Sequence, residues 1–150
     1  MSVSYIRFGH ALLMASLFGL ASGANAVEIG QIKTAKGQVS IERQGNVLPA
    51  PVGTRLQTSD IVKTGADSSV GITMNDDSLL SAGPNSLLSL DRYAFDSTTN
   101  QGRLDTSLNK GTLAVISGRI AKQAPDAMTV RTPSAMLGVR GTEFVVSADE

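Results

Sequence analysis

Val70-Gly71-Ile72-Thr73-Met74-Asn75-Asp76-Asp77-Ser78-Leu79-Leu80-Ser81 runs through Ala82-Gly83-Pro84-Asn85 into Ser86-Leu87-Leu88-Ser89-Leu90, and this stretch decides the fold. Val70, Ile72 and Met74 alternate with Gly71 and Thr73, and Leu88 and Leu90 bracket Ser89. A period of two turns one face of a strand toward a core, and no run here keeps a helical period. Asn75-Asp76-Asp77 and Gly83-Pro84-Asn85 carry turn chemistry between the apolar segments. The echo of Ser78-Leu79-Leu80-Ser81 in Ser86-Leu87-Leu88-Ser89 fits two successive edges of a β-solenoid, although such coils normally stack about three or more units. Solenoid-like and sandwich-like packing both remain open.

Outward from this stretch the pattern repeats. Val39 and Ile41 alternate with Ser40 and Glu42, Leu113 and Val115 share a face, Met128 and Val130 share another, and Phe144 with Val146 forms the last strand signal. Turn residues recur at Gln44-Gly45-Asn46, Thr64-Gly65-Ala66-Asp67, Asn109-Lys110-Gly111 and Ala124-Pro125-Asp126, a spacing suited to short strands. The polar segment Asp96 to Asn109 reads as a longer loop or as an irregular strand and turn, with a short helix the weaker alternative. The expected fold is all-β.

Upstream, Arg7 precedes an apolar run from Ala11 to Leu20, and Ala24-Asn25-Ala26 places small residues where a signal peptidase cuts. The run is shorter than the ~20 residues a membrane-spanning helix needs. Residues 1–26 are therefore expected to be a cleavable leader, with the cut after Ala26 and residues 27–150 forming one exported β domain, periplasmic or secreted. No stable membrane insertion is expected after cleavage.

Taking away residues 1–26 removes the single histidine, His10, and one cation, Arg7, leaving 12 basic against 13 acidic residues. That balance lacks the basic excess with which proteins meet nucleic acid or anionic lipid. With no cysteine in the chain, the core must be held by packing without disulfides. Without His or Cys there is no Ser-His-Asp triad, cysteine nucleophile or thiolate/imidazole zinc site to build. No enzymatic activity, cofactor or metal is expected.

Several ordered motifs point to a family. Gly37-Gln38-Val39, Val52-Gly53-Thr54-Arg55-Leu56, Ser59-Asp60-Ile61-Val62-Lys63-Thr64-Gly65, Asn75-Asp76-Asp77-Ser78 and Gly83-Pro84-Asn85-Ser86 follow one another, and Arg131-Thr132-Pro133-Ser134-Ala135-Met136-Leu137-Gly138-Val139-Arg140-Gly141-Thr142-Glu143-Phe144 comes near the end. Over roughly residues 32 to 147 the chain resembles the FecR domain. The resemblance implies a periplasmic, all-β, solenoid-like module without enzymatic activity. Its best-known members follow a cytoplasmic anti-sigma segment and one membrane helix, and relay a signal from an outer-membrane iron-siderophore receptor. A cleavable leader is expected in that place and the usual receptor-facing domain is not expected to follow, so the sequence looks like a stand-alone exported member.

The motif residues Asp60, Thr64, Gly65, Pro133, Gly138, Arg140, Gly141 and Thr142 are the candidate site, each with a structural reading beside a binding one. Asp60 and Thr64 suit turn capping before a buried strand. Arg140 offers a planar fork to a partner carboxylate, or pairs internally with Glu143 or Asp60, while Gly138 and Gly141 allow a bulge or close backbone approach. Asp76 and Asp77 are candidates for acid/base work or Ca²⁺. The family usually has Asp-Gly here, so the resemblance puts Asp77 at the glycine position of a hairpin turn. The expected function is binding or regulation through an unidentified envelope protein. The alternative is a small ligand or saccharide, held by Asp96 to Asn109 and Tyr93.

Overall fold

The computed structural model describes residues 26–149, so the expected leader and its apolar run lie outside the described residues apart from Ala26. The chain forms β1 (Glu28–Lys36), β2 (Val39–Arg43), β3 (Asn46–Pro49), β4 (Arg55–Gln57), β5 (Ile61–Thr64), β6 (Ser69–Met74), β7 (Leu79–Ala82), β8 (Leu87–Phe95) and β9 (Gly102–Ile116). A short helix α1 (Arg119–Gln123) and a 3-10 turn (Pro125–Ala127) lead to β10 (Met128–Arg131), β11 (Met136–Gly138) and β12 (Glu143–Ala148). The all-β fold is therefore the one the alternation dictates.

One curled sheet runs in the order β3-β2-β5-β8-β9-β7-β6-β1-β4. Its ladders are antiparallel except that β10 lies parallel to β9. The 15-residue β9 holds the two halves together: Gly102 to Lys110 pairs with β8, whereas Leu113 to Ile116 pairs with β7 on one side and β12 on the other. β7 and β8, the two echoing segments, thus lie along successive parts of the same strand.

The core is built of alternate residues from both halves. Ile32, Leu56, Ile72, Leu80, Leu113 and Val115 meet Ile41, Val62, Leu88, Leu104, Leu108 and Val130 in one aliphatic cluster, against which Tyr93, Phe95 and Phe144 pack. Each fully buried aliphatic side chain adds about 1.5–3 kcal/mol relative to exposure.

Two expectations change. Asp96 to Asn109 is no long loop: a turn over residues 96–101 is followed at once by β9, the irregular strand-and-turn alternative. Asn109-Lys110-Gly111 does not end a strand, because Gly111, at φ +93, bends β9 without interrupting it. Ser86 packs against Gly111 at this bend, its hydroxyl accepting from Thr112 N at 3.1 Å and donating to Thr112 O at 3.3 Å.

Candidate functional site

The motif residues divide into two groups. In the first, Asp60 is completely buried and its carboxylate takes a forked pair from Arg43, Nε to Oδ1 at 2.8 Å and Nη2 to Oδ2 at 2.7 Å, plus Gln57 N at 2.8 Å. The Gln57 bond is the expected turn cap, and the Arg43 fork adds a charge-assisted tie to β2. Thr64 Oγ1 donates to Gly83 O at 2.6 Å and accepts from Ser86 N at 2.9 Å, fastening β5 to the turn before β8. Gly65 lies against the Gln38 side chain.

The second group surrounds the β10–β11 hairpin and the entry to β12. Pro133 is exposed in a turn closed by Thr132 N donating to Ala135 O at 2.8 Å. Gly138 ends β11 with open space around it, so no close backbone approach explains it. Arg140 pairs with neither Glu143 nor Asp60. It reaches Asp126 at 3.6 Å, with side chains 81% and 87% exposed, because Asp60 is already engaged by Arg43 and Arg140 faces solvent. Exposed pairs of this kind are worth about 0–1 kcal/mol.

Gly141 adopts φ +145, and its carbonyl with that of Thr142 accepts from the buried Ser117, through Oγ and N at 2.8 Å each. Gly141→Val is therefore expected to destabilise the domain by more than about 1 kcal/mol. A thermal melt matching the unmodified protein would contradict this. The cleft at Thr64 and Gly65 is lined by residues 37–40 and 63–65 and by none of the second group, so the structure does not gather the motif residues into one site.

Asp76 and Asp77 prove to have different jobs. Asp77 sits at φ +67, the glycine position of the β6–β7 hairpin, and its exposed carboxylate lies 3.0 Å from Arg119 Nε. Asp76 is fully buried and accepts from Ser78 N at 3.3 Å, Ser78 Oγ at 2.7 Å, Tyr93 Oη at 3.2 Å and Ile120 N at 3.2 Å. Ser78 Oγ in turn accepts from Gly118 N at 3.0 Å. This carboxylate thus caps α1 from a distance and ties it to the β6–β7 turn and to β8. Burial, and then the charge of Asp76, push the Tyr93 hydroxyl well above the usual tyrosine range. Among the described residues no group of His, Cys, Asp and Glu is arranged to hold a metal ion.

A third arrangement has no counterpart in the sequence motifs. Asp91, Arg92, Asp105, Thr106, Thr129 and Arg131 line a cleft of about 160 Å³ where β8, β9 and β10 run side by side. Register slips between Leu90 and Arg92, so Asp91 is the extra residue of a β-bulge.

Together these observations define a small, curled, all-β module whose conspicuous motifs chiefly join strands, turns and the short helix. Residues 60–150 match the family model described as FecR protein, and the chain belongs to that family. No curated protein and no solved structure matches the chain. Membership supports a domain related to envelope signalling, and among the described residues no helix is long and apolar enough to cross a membrane.

Proposed function

We propose that this protein is a non-enzymatic, exported FecR-domain module that binds an envelope protein by adding a strand of that partner to the free edge of β12. The cleavable leader delivers residues 27–150 to the periplasm or beyond. The observation that carries the reading is the edge itself. Four strands end the sheet or its branches among the described residues, β3, β4, β11 and β12. β4 and β11 have three residues each and β3 closes on Pro49, devices that blunt an edge. β12 has six residues, no proline and no lysine, and pairs only with β9.

Its outward Val145 is 65% exposed, lies opposite Ala114, and shares its face with the exposed Ile116 and Leu79, which pair with one another one step along the ladder, where Glu143 is the β12 residue opposite Ile116. An incoming strand gains main-chain hydrogen bonds at the edge and side-chain contact along this face. Supporting the binding reading over an enzymatic one, residues 27–150 contain neither His nor Cys.

The test is in-cell photocrosslinking in the native host with the reactive residue at Val145 or, for comparison, at Val47 on β3. The expected result is one reproducible envelope partner captured from position 145, reduced by more than about tenfold when Ser147 is replaced by lysine to protect the edge. Capture from position 47 alone, or capture unchanged by Ser147→Lys, would overturn the β12 assignment.

A further inference from the structure

We infer that the cleft at the β8 bulge is a binding site for a small zwitterion carrying an ammonium and a carboxylate on neighbouring atoms, as in a free amino acid. It lies on the β8–β9–β10 side of the sheet, lined by none of the residues of the β12 edge. The bulge sets up the site: Leu90 is buried and Tyr93 packs on the core, so slipping one residue leaves Asp91 and Arg92 together in exposed positions. Opposite them, Asp105 is in register with Thr129, and Ser107 with Arg131.

The lining is unsatisfied in both senses. Arg92 and Arg131 make no side-chain hydrogen bond or ion pair among the described residues, and both are exposed at the rim, with forks suited to a carboxylate. Asp105 Oδ2 is held by Arg103 Nε at 2.7 Å, whereas Asp105 Oδ1 is buried without a partner. Asp91 Oδ2 accepts from the Ser107 hydroxyl, which fixes the bulge carboxylate beside the opening.

A buried carboxylate oxygen without a donor is costly, and an ammonium supplies the donor it lacks. The two arginines need the reverse, an anionic acceptor. The lining carries two acids, Asp91 and Asp105, and two bases, Arg92 and Arg131, so a ligand neutral overall but charged at both ends matches it better than a simple anion or cation. At about 160 Å³ the cleft falls below the ~300–1,000 Å³ of sites for drug-sized ligands, which restricts it to one such head group. No aromatic side chain lines it to stack on a sugar ring.

The test is calorimetric titration of the full-length protein with L-alanine, acetate, ethylammonium and glucose. Saturable binding of alanine is expected, with acetate and ethylammonium each weaker by at least about tenfold because each satisfies only one end. Arg131→Ala and Asp105→Asn are each expected to weaken alanine binding by at least about tenfold, while Arg131→Ala leaves the melting curve unchanged because its guanidinium holds nothing in the fold. Absence of saturable binding, preference for glucose, equal binding of acetate and alanine, or alanine binding indifferent to Arg131→Ala would each overturn the assignment.

Discussion

Asp76→Ala is expected to lower the melting temperature of the domain by about 15–20 °C, taking about 4 °C for each kcal/mol at this chain size. The carboxylate is fully buried and accepts four hydrogen bonds, from Ser78 N, Ser78 Oγ, Tyr93 Oη and Ile120 N. Alanine removes every acceptor and leaves the donors in place, and each buried donor left unsatisfied costs about 1–3 kcal/mol. Water entering the vacated space recovers part of this, so a net loss of roughly 4–5 kcal/mol is expected, a large share of the ~5–15 kcal/mol that holds a domain together. Ser78→Ala, which leaves Gly118 N without its acceptor but keeps three of the four Asp76 bonds, those from the backbone N of residue 78, Tyr93 Oη and Ile120 N, is expected to lose less than half as much.

Asp77 supplies the internal comparison. Its side chain is exposed and its backbone occupies a glycine conformation at φ +67. Asp77→Gly relieves that conformation and gives up only an exposed pair with Arg119, so its melting temperature is expected to stay within a few degrees of the parent, about 0–1 kcal/mol in either direction. Adjacent acids in one turn should therefore differ by several kcal/mol. Equal effects at the two positions would refute the division of roles.

That difference was only half visible in the sequence. A positive φ at Asp77 is a local property of a hairpin and reads from a few residues. The role of Asp76 depends on Tyr93 and Ile120, the latter 44 positions away, and nothing local announces which donors a long-range fold will bring to a carboxylate. The same holds for Asp60, whose turn-capping bond to Gln57 was legible and whose fork from Arg43 was not.

The strands were legible because burial follows alternation, and the departures were written there as phase slips. Leu88 and Leu90 are buried at even positions and Tyr93 and Phe95 pack on the core at odd ones, so the core-facing parity changes at Asp91-Arg92, where the bulge and the cleft lie. In β9, Leu104 and Leu108 give way to Leu113 and Val115 in the same manner, with Gly111 at the change. Asn109-Lys110-Gly111 has the composition of a turn. Composition alone does not say whether a glycine ends a strand or bends it, since both use a positive φ. The short helix α1 left no periodic signal, since five residues span little more than one turn.

The second large effect concerns Asp60, the motif residue with the strongest claim to either role. Asp60→Ala is expected to destabilise the domain by about 3–5 kcal/mol, because breaking one side of a buried ion pair leaves the Arg43 guanidinium, only 25% exposed, without its fork. Arg43 keeps a single neutral acceptor, Arg55 O at 3.0 Å, and Gln57 N loses its only carboxylate partner. The reverse deletion, Arg43→Ala, should be comparably severe, since Asp60 stays buried with one backbone donor. Replacing both at once, Asp60→Ala with Arg43→Ala, removes the uncompensated charges and is expected to lose less than the sum of the two singles by at least about 2 kcal/mol. Denaturant unfolding of the four proteins measures that coupling. Additive losses would mean the pair does not act as a unit. A melting curve unchanged by Asp60→Ala, together with lost capture of an envelope partner, would instead move Asp60 from the interior of the fold to the binding surface.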